Sequence, residues 1–194
     1  MTLVDLAEAH TPGIGDLRAA AADILFRAFA AIDNPTWPDM PSAQAEVADC
    51  LHTGFIALGL VENSGDRLVA WGGLRPMYGA HTWELHPLVV DPREQGKGYG
   101  AELLRHLEGA AAHRGVAGIV LGSDDETAST SLSAVDFEHT AVGDAIANIV
   151  PRPGRPVHPY RFYQRQGYRI VGVIPDATGP GRPDILMWKP LHRD

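Results

Sequence analysis

Residues 82–100, TWELHPLVVDPREQGKGYG, constrain the fold more than any other stretch of this chain. In an extended strand over 82–90, Thr82, Glu84, His86, Leu88 and Val90 share one face, and Trp83, Leu85, Pro87 and Val89 share the other. Both sets are largely apolar, which predicts a strand covered on both sides. Pro87 has no backbone donor, so ladder pairing must fail beside it and free the Leu88 N–H for a ligand. A carboxylate such as Glu84 in this setting must either pair with a cation or line a wet cleft. Its apolar neighbours Trp83 and Leu85 would make it the stronger base. Gln95-Gly96-Lys97-Gly98-Tyr99-Gly100 then opens onto an amphipathic helix over 99–113. Glycines between a strand and a helix let backbone N–H groups close on a phosphate at the helix's positive end. The loop also fits a relaxed GxGxxA dinucleotide pattern, but repeated βαβ units are missing from the chain. It is not a P-loop, because Lys97 is followed by glycine.

The flanking elements suit a sheet packed with helices. Residues 2–6 read as a short edge strand. A helix is expected over 16–32, with Leu17, Ala20, Ile24, Leu25, Ala28 and Phe29 as its stripe, Asp16 as its cap and Asn34-Pro35 as its stop. A second helix over 42–51 is followed by a hairpin, 55–61 and 68–74, about a turn at 63–66. Gly72-Gly73 predicts a bend or a close backbone approach. After the 99–113 helix comes a strand over 116–121. Residues 128–150 show no clean period and are expected to be loop with helical turns, and 151–156 (PRPGRP) to be loop. A short helix over 158–166 has Pro159 at its start and Gly167 past its end, and strands over 168–174 and 185–189 close the chain. At 194 residues and 45% hydrophobic, one core is expected. The fold class is therefore α+β (mixed α/β): a single domain over 1–194 with a mostly antiparallel sheet splayed at 82–90. Its first helices and hairpin span about 1–80 and its core about 82–191.

Charge narrows the partners. With 16 Lys+Arg against 24 Asp+Glu, the net charge of −8 opposes nucleic-acid binding and favours cationic small molecules. Asp124, Asp125, Glu126, Asp136 and Glu138 cluster after the 116–121 strand as candidates for capturing such a cation. The single cysteine, Cys50, excludes an intramolecular disulfide and a cysteine-based metal cluster. It is expected as a buried apolar residue in its helix. No metal site, signal segment or membrane span is expected, which points to the cytoplasm.

A strand ending V-V-D-P, followed by Gln-x-x-Gly-x-Gly and an amphipathic helix, resembles the acyl-CoA-binding motif of the Gcn5-related N-acetyltransferase superfamily. Phe162-Tyr163-Gln164-Arg165-Gln166-Gly167-Tyr168 resembles that superfamily's second signature. WELHPLVV, LGSDDE, TSLSAVDFEHT, HPYRFYQRQGYRIVGVIPDATG and RPDILMWK narrow the resemblance to the chromosomal aminoglycoside 6'-N-acetyltransferases of Gram-positive bacteria, as does Thr36-Trp37-Pro38-Asp39. The resemblance implies transfer of acetyl from acetyl-CoA to a primary amine. In it Glu84 is the general base through a water, and His86 relays the proton or orients that water. The Leu88 N–H polarises the thioester carbonyl, and Tyr163 protonates the thiolate. Leu88, Val89, Val90, Gln95, Gly96, Lys97, Gly98, Tyr99, Gly100 and Tyr163 would hold acetyl-CoA. Glu84, Asp124, Asp125, Glu126 and Asp136 would face a cationic acceptor, in a homodimer. A related acetyltransferase for another amine, or a non-catalytic acyl-CoA-binding module, are the alternatives.

Overall fold

The computed structural model describes residues 1–8, 13–32, 36–63 and 67–191. Its elements run β1 (Thr2–Asp5), α1 (Ile14–Ala30), α2 (Met40–Cys50), β2 (Ile56–Val61), β3 (Leu68–Tyr78), β4 (Thr82–Val90), α3 (Tyr99–His113) and β5 (Gly118–Asp124). A 3-10 turn (Ser131–Ala134), α4 (Val142–Ala147), α5 (Tyr160–Arg165), β6 (Arg169–Ile174) and β7 (Asp184–Pro190) follow. The strand order is β1-β2-β3-β4-β5-β7-β6 in one open sheet. α3 links the neighbouring strands β4 and β5, the crossover that a parallel pair needs. The fold is thus a single mixed α/β domain. Within it the chain forms two units, Met1–Ile119 (with Leu191) and Val120–Pro190. Among the described residues, no helix is long and apolar enough to cross a membrane.

In the first unit, β1 to β4 form an antiparallel meander. Its core lies under α1 and α2. Leu17, Ala21, Ile24 and Leu25 of α1 meet Ala43, Val47 and Cys50 of α2, together with Trp71 of β3 and Val89 of β4. Trp71 is fully buried and its indole N–H donates to the Ala21 carbonyl at 2.9 Å, so the polar end of the ring is satisfied as well as its apolar body. Truncating such a residue costs about 3–5 kcal/mol. In α3, Leu103, Leu104, Leu107 and Ala111 are the buried stripe, whereas Tyr99 and Ala110 are only partly covered.

Several boundaries differ from the sequence expectation for identifiable reasons. α1 starts at Ile14 because Gly13, at φ 74°, turns the chain into the helix without a side-chain cap. Asp16 lies in the first turn, where the helix dipole favours it, and does not cap. The expected stop at Asn34-Pro35 and most of the 63–66 turn lie outside the described residues. α2 starts two residues before the expected Ser42 because Asp39 caps it, accepting the Ser42 N–H at 2.9 Å. β3 continues to Tyr78 rather than ending at Leu74. β4 and α3 occupy the residues expected of them, 82–90 and 99–113.

In the second unit, β6 and β7 form an antiparallel hairpin. Gly167, at φ 91°, ends the short α5 as expected.

Candidate active site

The two faces of β4 are unequal. Trp83, Leu85, Pro87 and Val89 are buried, while Thr82, Glu84, His86, Leu88 and Val90 are half-exposed. The expectation of cover on both sides therefore holds for one face only. The apolar neighbours Trp83 and Leu85 point away from Glu84. Its observed partner is Arg75, directly opposite on β3, whose Nε donates to Glu84 Oε2 at 2.6 Å. Burial works against the Arg75 charge, but the hydrogen bond and charge of Glu84 outweigh it and hold the guanidinium more firmly protonated.

Regular pairing breaks beside Pro87, as its missing donor requires. Gly72 pairs with Leu88 and Leu74 with Leu85, so Gly73 alone faces both His86 and Pro87, which are joined by a cis peptide bond. The paired glycines are there for space. A Cβ on Gly72 would lie 2.8 Å from the Pro87 carbonyl oxygen, and one on Gly73 2.8 Å from that of His86.

His86 does not stand alone on its face. Its Nε2 lies 3.2 Å from Oε1 of Glu46 on α2, and its ring is tilted against Trp37 with centroids 5.9 Å apart. Burial would push the Glu46 carboxyl up. The hydrogen bond and charge of His86, with hydrogen bonds from Cys50 and Trp37, bring it below its ordinary value instead. Sequence reasoning missed Glu46. The signal was an acid on the stripe Ala43, Val47, Cys50, where a purely solvated carboxylate has no reason to sit. Cys50 is buried as expected, and burial beside Glu46 pushes its thiol far up, so it stays a neutral donor. A cavity of about 260 Å³ opens among Cys50, Phe55, Leu74, Arg75 and His86, with exposed Asp49 and His52 also lining it.

The loop after β4 is tied down at both ends. Asp91 accepts from Arg27 Nη1 and Nη2 at 3.1 and 3.2 Å and from the Arg93 N–H at 3.0 Å. The Arg27 hydrogen bond, against some burial, holds the Asp91 carboxyl below the usual range. Glu94 takes Lys97 Nζ at 2.7 Å and Arg67 Nη2 at 3.0 Å, so Lys97 is engaged within its own loop. Gln95 Nε2 donates to the Val90 carbonyl at 3.4 Å. Gly96 and Gly98 have φ of 78° and 92° with nothing near a would-be Cβ, so here glycine is required by conformation rather than space. Gly98 caps α3 without any side-chain acceptor, and residues 95–98 are exposed. Uncapped N-terminal amides, a dipole's positive end and a loop without bulk at two positions fit a pyrophosphate. Tyr99 and Gly100 form the half-buried first turn of α3.

The other sequence-predicted residues belong to the second unit. Tyr163 is half-buried in α5, its ring edge-on to Phe162 at 5.0 Å and to Tyr168 at 5.7 Å. Burial pushes its phenol well above the ordinary value, which keeps it a proton donor. Asp125 is corrected. It has no exposed surface, and its oxygens accept the Ser129 and Thr130 N–H groups at 2.6 and 2.9 Å and the Thr130 and Ser133 hydroxyls at 2.7 and 2.6 Å. Its carboxylate organises the loop and has nothing left for an acceptor. Burial raises its carboxyl, and these donors more than reverse that. Asp124 is exposed and its carbonyl lies 3.0 Å from His158 Nε2. Glu126 is nearly covered, 3.4 Å from Arg182 Nη1. Asp136 is exposed and paired with His139 Nδ1 at 2.8 Å.

The acetyltransferase (GNAT) family matches residues 20–137 of the chain. No curated protein matches in a sequence comparison. Among solved structures, an aminoglycoside 6'-N-acetyltransferase complexed with coenzyme A is 34% identical, over 100% of this chain and 99% of that one, with a TM-score of 0.84. The aminoglycoside 6'-N-acetyltransferase from Enterococcus faecium gives the same values. An aminoglycoside 6'-acetyltransferase type Ii is 30% identical over the same shares, with a TM-score of 0.69.

Proposed function

As the chain belongs to the acetyltransferase (GNAT) family and is an acetyl-CoA-dependent N-acetyltransferase, we propose that its acceptor is the 6'-amine of aminoglycosides. The observation that carries this reading is the full-length similarity at 34% identity to two enzymes of that specificity. Local chemistry supports it. Glu84 already holds a cation in Arg75, and Glu46 and Asp49 add carboxylates around the same strand face.

Acetyl-CoA supplies the thioester whose acetyl group is transferred. The backbone amides of residues 95–100 bind its pyrophosphate, and the Leu88 N–H draws charge onto the carbonyl oxygen. The amine nitrogen forms the new C–N bond while the C–S bond breaks and its electron pair leaves on sulfur. Glu84 takes the amine proton through a water, and the Tyr163 hydroxyl returns a proton to the thiolate. Glu126, Asp124 and Asp136 contribute to attracting the polycation. In this reading the enzyme is cytoplasmic, homodimeric and confers aminoglycoside resistance; light scattering of the purified chain and antibiotic susceptibility on expression test the last two.

The deciding experiment follows thiol release from acetyl-CoA with paired aminoglycosides. Turnover is expected with 6'-amino compounds and not with their 6'-hydroxyl counterparts. Equal turnover with both, or turnover only with plain polyamines, would replace this acceptor with another amine.

A further inference from the structure

We propose that Glu46 of α2 is a positioning residue for acetyl transfer: it takes the His86 Nε2–H and so leaves Nδ1 as the ring's proton acceptor. The inference rests on the acetyltransferase reading and deepens it by completing the path of the amine's proton.

The geometry is that of an acid–imidazole pair. Glu46 Oε1 lies 3.2 Å from His86 Nε2. The carboxylate is itself held in place. Cys50, one helical turn on, has its Sγ 3.6 Å from the same oxygen, and Trp37 bonds it as well. Cys50 Sγ also lies 3.5 Å from the His86 backbone oxygen, so one thiol touches both members of the pair. The Trp37 ring packs against the imidazole. Glu46 is only 15% exposed and His86 31%, so a lone charge on either would be poorly solvated. Together they accommodate a charge neither carries well alone. A carboxylate that fixes an imidazole through one nitrogen sets the tautomer and directs the other nitrogen to its task.

Glu84 and His86 are alternate residues on the same half-exposed face, their backbones about 7 Å apart along the strand, a span that two waters in series bridge. When the acceptor nitrogen bonds to the acetyl carbon and the C–S bond breaks, the proton shed by nitrogen reaches Glu84. It then passes along the bridging waters to His86 Nδ1. The imidazolium so formed faces the Glu46 carboxylate, and the thiolate takes its own proton from Tyr163. Glu84 is thereby returned to its base form, still beside Arg75.

The test is a double-mutant cycle with Glu46→Gln and His86→Gln, read on whichever amine the wild type turns over, with melting temperature as a fold control. Glu46→Gln is expected to lower kcat about tenfold or more while changing KM for acetyl-CoA less than about twofold. In the His86→Gln background it should cost less than about twofold, since both residues then act on one path. Nitrogen-15 NMR of histidine-labelled protein should show the His86 Nε2–H tautomer in the wild type and a mixed population in Glu46→Gln. Unchanged kcat in folded Glu46→Gln, an equal loss in both backgrounds, or an Nδ1–H tautomer in the wild type would overturn the proposal. A wild type that turns over no amine defeats the acceptor reading instead, and the NMR measurement still decides the Glu46–His86 pair.

Discussion

Along β4 and α3 the chain is ordered by repetition: alternate buried residues in the strand, then Leu103, Leu104, Leu107 and Ala111 along one helical stripe. Between β5 and α5 the order comes instead from one buried carboxylate, Asp125, which gathers four donors from Ser129, Thr130 and Ser133. Repetition spreads stability over many contacts, so that the loss of one leaves the others in place. Convergence on a single charge concentrates it, because removing that charge leaves several buried donors without a partner.

The largest effect should therefore come from Asp125→Ala. Stability in chemical denaturation is expected to fall by about 3–5 kcal/mol, at about 1–3 kcal/mol for each donor left buried and unpaired, with residues 125–133 losing protection in hydrogen exchange. A loss no greater than that of an average β4 substitution would erase the contrast between the two regions.

Gly73→Ala, on β3, probes a place where backbone packs against β4 without slack. Its Cβ would meet the His86 carbonyl oxygen at 2.8 Å and Cys50 Sγ at 3.2 Å, so backbone has to move. A loss of about 1–3 kcal/mol is expected in thermal melts, with kcat reduced because His86 and Leu88 shift. Neutrality would mean that the break in pairing at Pro87 is pliable.

The smallest effect is set by pH. His158 is buried, and desolvation lowers its pKa from 6.5 against the opposing pull of Asp125 and the Asp124 carbonyl. Its Nδ1 accepts the Tyr160 N–H at 3.1 Å and its Nε2 lies 3.0 Å from the Asp124 carbonyl, an arrangement that requires the neutral ring. The unfolded chain binds the proton more readily. This contribution is therefore complete above pH 6.5 and is lost as the pH falls through that value toward the lower folded pKa. Melting temperature followed from pH 7.5 to 5.5 should drop more steeply for the wild type than for His158→Gln. Parallel slopes would remove His158 from the account.

The same contrast explains what was legible in the sequence. Period-two alternation, a proline without a donor and a glycine loop mark β4, its irregular pairing and α3 directly, because each signal is local. Asp125 is illegible in this way: an acid in a loop reads as solvated or ligand-facing, and only the fold reveals that Ser129, Thr130 and Ser133 turn back onto it. Arg75 was missed for a different reason. The apolar run of β3 ends at Leu74, yet the strand continues to Tyr78, and only that extension sets Arg75 opposite Glu84. Glu46 reaches His86 from a helix 40 residues earlier, and no local pattern encodes that distance.

The proposal that Glu84 is the base for the incoming amine is tested most directly by Glu84→Gln, with kcat and coenzyme A affinity measured on the same preparation. The account predicts that kcat falls by about a hundredfold or more, while the dissociation constant for coenzyme A, whose pyrophosphate the proposal assigns to residues 95–100, stays within about twofold of the wild type. Turnover that survives the substitution, with coenzyme A still bound, would contradict it.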